Sequence, residues 1–317
     1  MLPTSDRRPI VSPLIAITIG ILAVSTGSIF VRYAQDYAPS LVIAAWRLFL
    51  ATLIISPVAL TRSRVELRNL HRKEVALALL SGVFLALHFA TWISSLEYTS
   101  VASSVVFVST APLWVALLSP LLLDEPITRP ILIGMALALL GGVIVGLSDS
   151  CSLGGSGLSC PPFSEFIQGR AFLGDLLAFA GAWMAAGYLI IGRRLRTGIS
   201  LVPYIFMVYG MAAMILIGIM LILGLPAVGY PAQVYLLFLA LALIPQLLGH
   251  SIFNWALGYL SAAYVSITLL GEPIGSALLA YFFLKEIPKP LMIFGAILIL
   301  IGIYVASRAE TGRKKHD

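Results

Sequence analysis

Apolar residues run along this chain in long unbroken blocks, separated by short polar stretches. Ten blocks stand out, near 12–31, 40–60, 75–96, 100–122, 131–147, 172–191, 202–223, 234–256, 262–283 and 290–306. A helix needs about 20 apolar residues to cross the hydrocarbon core of a bilayer. Most blocks reach that length; those near 131–147 and 290–306 are short. The apolar residues are consecutive and not alternating, which favours helices over barrel strands. The pattern predicts ten transmembrane helices with tight turns at 97–99 and 257–261 and one long connection at 148–171.

Composition agrees with that pattern. The 317 residues are 60% hydrophobic and only 11% charged. Soluble domains sit nearer about 45–50% apolar and about 25% charged. The expected class is an all-α integral membrane protein. Arg7 and Arg8 precede the first block as in a signal peptide, but no small-residue cleavage site follows it, so the first helix is expected to be retained.

The polar punctuation repeats. "LEYTSVASS" from 96 and "LGYLSAAYV" from 257 align without a gap, and the match runs on for about two and a half helices. Leu96 matches Leu257, Ser100 matches Ser261, Pro112 matches Pro273, Glu125 matches Glu286, Gly134 matches Gly295 and Gly141 matches Gly302. The offset is 161 throughout (273 − 112). Each half then holds five helices. A unit with an odd number of crossings enters the membrane from opposite sides in its two copies. The expectation is a pair of inverted five-helix repeats, an architecture of secondary transporters with the site near the midplane between halves. The predicted units are 12–147 and 172–306, with an extracytoplasmic loop at 148–171 and a basic tail at 307–317.

Charge sets the orientation. With the N-terminus inside, fifteen Lys and Arg fall in cytoplasmic segments, four fall outside, and Arg47 lies within a helix. That bias predicts a multi-pass protein of the cytoplasmic membrane with both termini cytoplasmic. The net charge of +6 then reflects topology and anionic lipid rather than nucleic acid. The loop at 148–171 holds Cys151 and Cys160, which form a disulfide or stay as two thiols; spacing alone leaves both open.

Two stretches carry a family resemblance. "GEPIGSALLAYFFLKEIPKPLMIFGAILILIGIYV" (271–305) resembles the closing part of an EamA-type domain of the drug/metabolite transporter superfamily, and "APLWVALLSPLLLDEPITRPILIGMALALLGGVIV" (111–145) resembles the same part of a first copy. "GSIFVRYA" (27–34) and "AAWRLFLATLIISP" (44–57) resemble the first two helices of that domain. The resemblance implies a ten-helix carrier of small metabolites, often an exporter of amino acids or related compounds. The long two-cysteine loop departs from the pattern, and His88 and His250 inherit no role from it.

Ionisable groups inside membrane helices are functional candidates by default. Four are identified: Arg47, His88, His250 and Glu272. Helical spacing places Ser261, Tyr264, Thr268, Gly275 and Ser276 on the face of Glu272. Its repeat counterpart is Ala111, so the acid belongs to one half only. It is either a protonatable coupling group or a structural one held by Arg47, hydroxyls or backbone. Pro273 and Pro112 are expected to break their helices, and the carbonyl near residue 269 must find another donor. Arg47 could snorkel outward, pair with Glu272, or bind a substrate carboxylate through its fork. His88 shares a face with Trp92, and His250 with Gln246 and Asn254. Trp46, Trp92, Trp114, Tyr188, Trp255 and Tyr264 form an aromatic wall for a solute or pack helices together. Gly134, Ala138, Gly142 and Gly146, and again Ala178, Ala182 and Ala186, predict close helix contacts.

No Walker lysine loop, HExxH or CxxC occurs, and "GGSG" (154–157) lies in a Gly-rich loop followed by Pro161 and Pro162. An enzyme is not expected, nor a cofactor or bound metal. The expected partners are a small-molecule substrate and the lipid bilayer, with proton coupling open at Glu272. A carrier of lipid-linked or multidrug-type substrates, or a non-transporting receptor or assembly subunit, would share the same apolar pattern.

Overall fold

The computed structural model describes residues 11–150, 152–154, 157–159, 169–285, 287 and 290–313. In chain order the elements are α1 (Pro13–Gln35), α2 (Ser40–Thr61), the short α3 (Arg64–Asn69), α4 (Arg72–Ser95), α5 (Val101–Val108), α6 (Ala111–Leu122) and α7 (Arg129–Ser150). A small antiparallel hairpin follows, β1 (Ser152–Gly154) with β2 (Gly157–Ser159), Ser152 opposite Ser159. Then come α8 (Arg170–Arg196), α9 (Leu201–Ile222), α10 (Ala232–Ala256), α11 (Ala262–Leu284) and α12 (Pro290–Arg313). Among the described residues, seven helices are long and apolar enough to cross a membrane: α1, α2, α4, α8, α9, α10 and α11. The apolar stretches 111–122, 129–144 and 293–306 are shorter. Cys151 and Cys160 lie outside the described residues.

The block at 100–122 is not one helix. It breaks at Ser109 and Thr110, where the chain closes a tight turn with Thr110 N–H donating to Phe107 O at 3.2 Å. Pro112 stands in the first turn of α6, where a missing N–H leaves no bond unmade. The block at 262–283 narrows to a 3-10 turn at Leu269–Gly271. Pro273 cannot donate to Leu269 O; Glu272 N–H does so instead, one residue early, and that shorter bond is the 3-10 turn. The two repeat-related prolines thus follow the two breaks.

α10 is irregular as well. Its centre, Ala242–His250, is π-helical around Pro245. The ring of an internal proline crowds the carbonyl four residues back, and a wider turn relieves the crowding. The repeat counterpart of Pro245 is Phe84, inside the regular helix α4.

Helices α7 and α12 pack backbone to backbone. A Cβ on Gly134 would strike Gly302 O, and one on Gly141 would strike Gly295 O. Ala138 fills the space beside Gly302. The contact therefore uses Gly134, Ala138 and Gly141, whereas the predicted Gly142 lines a cavity. Ala178, Ala182 and Ala186 are buried as expected, on a helix that packs along α4. The outer surface stays apolar: Leu121 is 77% exposed, Ile222 86% and Phe282 63%. Water would oppose such a surface and lipid would not.

Matched hydrogen bonds recur at the repeat offset. Arg32 Nη1 donates to Leu96 O at 2.5 Å, and Arg193 Nη1 donates to Leu257 O at 2.8 Å. Gln35 Nε2 donates to Ile93 O at 2.9 Å, and Arg196 Nε donates to Asn254 O at 2.9 Å. Ser100 caps α5 by accepting from Ser103 N–H, and Ser261 caps α11 by accepting from Tyr264 N–H. In all three cases the second donor and acceptor lie 161 positions beyond the first.

Candidate substrate site

Arg47 anchors the interior. It sits on the second turn of α2, only 1% exposed. Its Nε donates to Gln246 Oε1 at 2.8 Å, which ties α2 to the π-helical centre of α10. Its guanidinium lies over the Phe89 ring of α4, Cζ 4.1 Å from the centroid. Among the described residues it forms no ion pair, so neither snorkelling nor salt-bridging to Glu272 describes it. A buried charged donor left without a partner costs more than the roughly 1–3 kcal/mol of a neutral one.

The two histidines come together. His88 and His250 have ring centroids 6.5 Å apart, and Phe89 packs 5.3 Å from His250. His88 stacks parallel to Trp92 at 6.1 Å. His88 Nδ1 lies 3.0 Å from Gly181 O, which can only accept. Nδ1 therefore carries a hydrogen, and in the neutral ring Nε2 is the acceptor. Gly181 packs closely on α4: a Cβ there would lie 3.1 Å from Thr91 Oγ1.

Asn254 heads an adjoining network. Its Nδ2 donates to Tyr188 Oη at 2.5 Å and stands 3.3 Å from Tyr209 Oη. Tyr209 Oη is 3.1 Å from Ser251 Oγ, and Ser251 Oγ reaches Gln246 O at 3.4 Å. The two clusters thus share the π-helical stretch.

Glu272 starts the regular part of α11 and is half-buried. Arg47 is the charge that acts on it, beyond ion-pair contact. Around it α1 and α11 approach closely: a Cβ on Gly275 would collide with Ser25 Oγ, and Ser276 Oγ donates to Ser25 O at 3.2 Å. Ser25 Oγ lies 3.3 Å from Glu272 O. The predicted polar face is divided by the 3-10 turn. Thr268 turns its hydroxyl onto Val265 O at 2.7 Å, and Tyr264 packs in the main core.

The aromatic wall is not one surface. Trp92 and Tyr188 belong to the interior clusters. Trp46 donates to Ala227 O at 2.8 Å and stacks on Phe238. Trp114 packs on Trp183, and Trp255 on Tyr259.

Two features escaped the sequence reading. Asp175, buried near the start of α8, accepts from Thr99 Oγ1 at 3.1 Å. It lines a cavity of about 240 Å³ with Ser103, Phe107, Thr110, Leu270 and Pro273, beside both helix breaks. Its signal was plain, an acid three residues inside the block at 172–191. The second is a clamp. Arg193 Nε meets Glu125 Oε1 at 2.5 Å, and Glu125 Oε2 accepts from Ala262 N–H at 3.1 Å. It joins the α6–α7 connection, the end of α8 and the start of α11.

Long apolar helices around a polar interior define a multi-pass membrane protein. The chain belongs to the EamA-like transporter family, which matches residues 11–147 and 172–308. Its relatives are transporters, not enzymes. An uncharacterized transporter, YyaM, of Bacillus subtilis (strain 168) is 23% identical over 90% of each chain. The pseudopaline exporter CntI of Pseudomonas aeruginosa is 25% identical over 93% of this chain and 97% of its own. An uncharacterized transporter of Archaeoglobus fulgidus is 24% identical over 92% and 95%. A solved crystal structure, 20% identical, superposes with a TM-score of 0.69 over 94% of this chain and 97% of that one, which bears on the fold alone. The family and these relatives make the chain a membrane transporter of small substrates.

Proposed function

We propose that this protein is a secondary transporter that carries a small organic metabolite, an amino acid or related compound, across the cytoplasmic membrane by alternating access. Export is the proposed direction, and both termini are cytoplasmic. The halves, 12–147 and 172–306, are inverted five-helix repeats that together give ten spans. The matched bonds at the ends of α1 and α8 support that symmetry. So does the reciprocal meeting of Gly134 with Gly302 and Gly141 with Gly295, because the offset exchanges one pair for the other.

The observation that carries the reading is the polar cluster of Arg47, Gln246, His88 and His250. It draws on helices of both halves, in the region where inverted-repeat carriers bind substrate. The Glu125–Arg193 clamp would hold one end shut and would have to part in each cycle. Glu272 is the proposed proton-coupling group, since it is an acid at the 3-10 break of a membrane helix and forms no ion pair among the described residues. The name of the Pseudomonas relative, an exporter, favours outward movement.

The test is an untargeted comparison of metabolites inside and outside cells with and without the protein. One or a few small compounds should accumulate inside when the protein is missing. No difference in any compound would count against export.

A further inference from the structure

Among the described residues, the buried donors without an acceptor include Arg47 Nη1 and Trp92 Nε1. None of these atoms can accept a hydrogen bond, so what they lack is an acceptor. Arg47 is already bonded to Gln246 through Nε and Oε1, so its unmet donor lies on the Nη side. The Trp92 ring and Arg47 Nη1 both approach one point on α1. A Cβ built on Gly27 would lie 3.6 Å from Trp92 Cη2 and 3.8 Å from Arg47 Nη1. Glycine at 27 therefore leaves the Nη1 edge without a side chain from α1 in front of it.

The guanidinium is restricted in how it can be met. Phe89 covers one face. Gln246 occupies Nε. What remains is the in-plane edge at the Nη atoms, which matches the two oxygens of a carboxylate. The charge cannot be shed, because arginine stays protonated in proteins. Glu272 is the acid that acts on it, and it stands beyond ion-pair contact.

We propose that Arg47, held by Gln246 and with Trp92 beside it, binds a carboxylate of the transported solute, so that the substrate class is organic acids, amino acids included; this rests on the transport reading above. The carboxylate supplies the acceptor that Arg47 Nη1 lacks and the countercharge that Arg47 lacks.

The test uses the full-length protein in detergent and follows thermal unfolding. The probes are the twenty L-amino acids, succinate and citrate, and each amino acid is set beside its α-carboxamide, which keeps the amine and loses the charge. At least one acid should raise the unfolding midpoint, and its amide should need at least about tenfold higher concentration for the same shift. Arg47→Gln and Gly27→Val should remove the shift, and Arg47→Lys should weaken it. The acid–amide comparison on the unaltered protein needs no variant to fold. An amide that binds as well as its acid, full binding by Arg47→Gln, or no shift with any acid would overturn the proposal. Flux of the same probes in proteoliposomes separates it from the transport reading. Binding without flux leaves the carboxylate site and removes transport; flux of uncharged or cationic probes alone removes the site and leaves transport.

Discussion

Arg47 Nε and Gln246 Oε1 meet at 2.8 Å, although 199 positions separate them in the chain. The bond ties the second helix of one half to the π-helical centre of α10 in the other. It is one of the polar links between the halves inside an apolar bundle.

Gln246→Leu should destabilise the protein by about 3 kcal/mol or more, because it strips a charged buried donor of the acceptor it has among the described residues. Thermal unfolding in detergent reads this directly. Gln246→Glu, which keeps an acceptor and adds a countercharge, should be far less harmful. Equal loss in both would mean that the cost is steric.

Backbone contact between α7 and α12 gives a second prediction. Gly302→Ala has no room, since its Cβ would meet Gly134 O and Ala138. It should cost about 1–3 kcal/mol of stability. Gly218→Ala is the control: nothing lies within 4 Å of its Cβ position, and it sits inside α9. That change should be neutral or stabilising by about 0.5–1 kcal/mol. The two variants compared by unfolding midpoint should differ in sign.

The clamp at Glu125 predicts a change in accessibility. Glu125→Gln weakens the bond to Arg193, worth about 1.5–3 kcal/mol for a charged pair in this setting. The open population of that end should rise about tenfold or more. Replacing Leu260, buried beside the clamp, by cysteine in a background without Cys151 and Cys160 gives the probe. Labelling by a membrane-impermeant maleimide should speed up in Glu125→Gln. An unchanged rate would show that the clamp does not hold that end shut.

Much of this was legible in the sequence, and the rest was not for definite reasons. The helices follow from consecutive apolar residues, a local signal. Pro112 and Pro273 announced two breaks, and the carbonyl of Leu269 did need another donor. That the donor would be Glu272 N–H, in a 3-10 turn, is one of several ways to satisfy that carbonyl, and spacing does not choose among them. Pro245 was equally visible, yet a proline can kink, break or widen a helix, and tertiary packing decides which. The pairing of Arg47 with Gln246 is a contact between distant segments that no local pattern encodes. His88 and His250 were expected at similar depth, and their rings pack near each other. Asp175 was overlooked although its position inside an apolar block marked it.

Glu272 offers a fourth prediction, on pH. If it carries the coupling proton, Glu272→Gln should abolish pH-gradient-driven accumulation while leaving exchange of substrate across the membrane intact. Uptake assays with and without an imposed gradient make the distinction. Unchanged transport and unchanged pH dependence would remove Glu272 from the mechanism and leave it a structural acid.

Transport itself is the central claim, and flux in proteoliposomes tests it most directly. Purified protein is reconstituted, the vesicles are loaded with unlabelled amino acids and organic acids, and uptake of the radiolabelled compounds is followed by counterflow. The account predicts saturable counterflow of at least one carboxylate-bearing solute, lost in Arg47→Gln and absent from empty vesicles. No protein-dependent flux of any compound across that panel would contradict it.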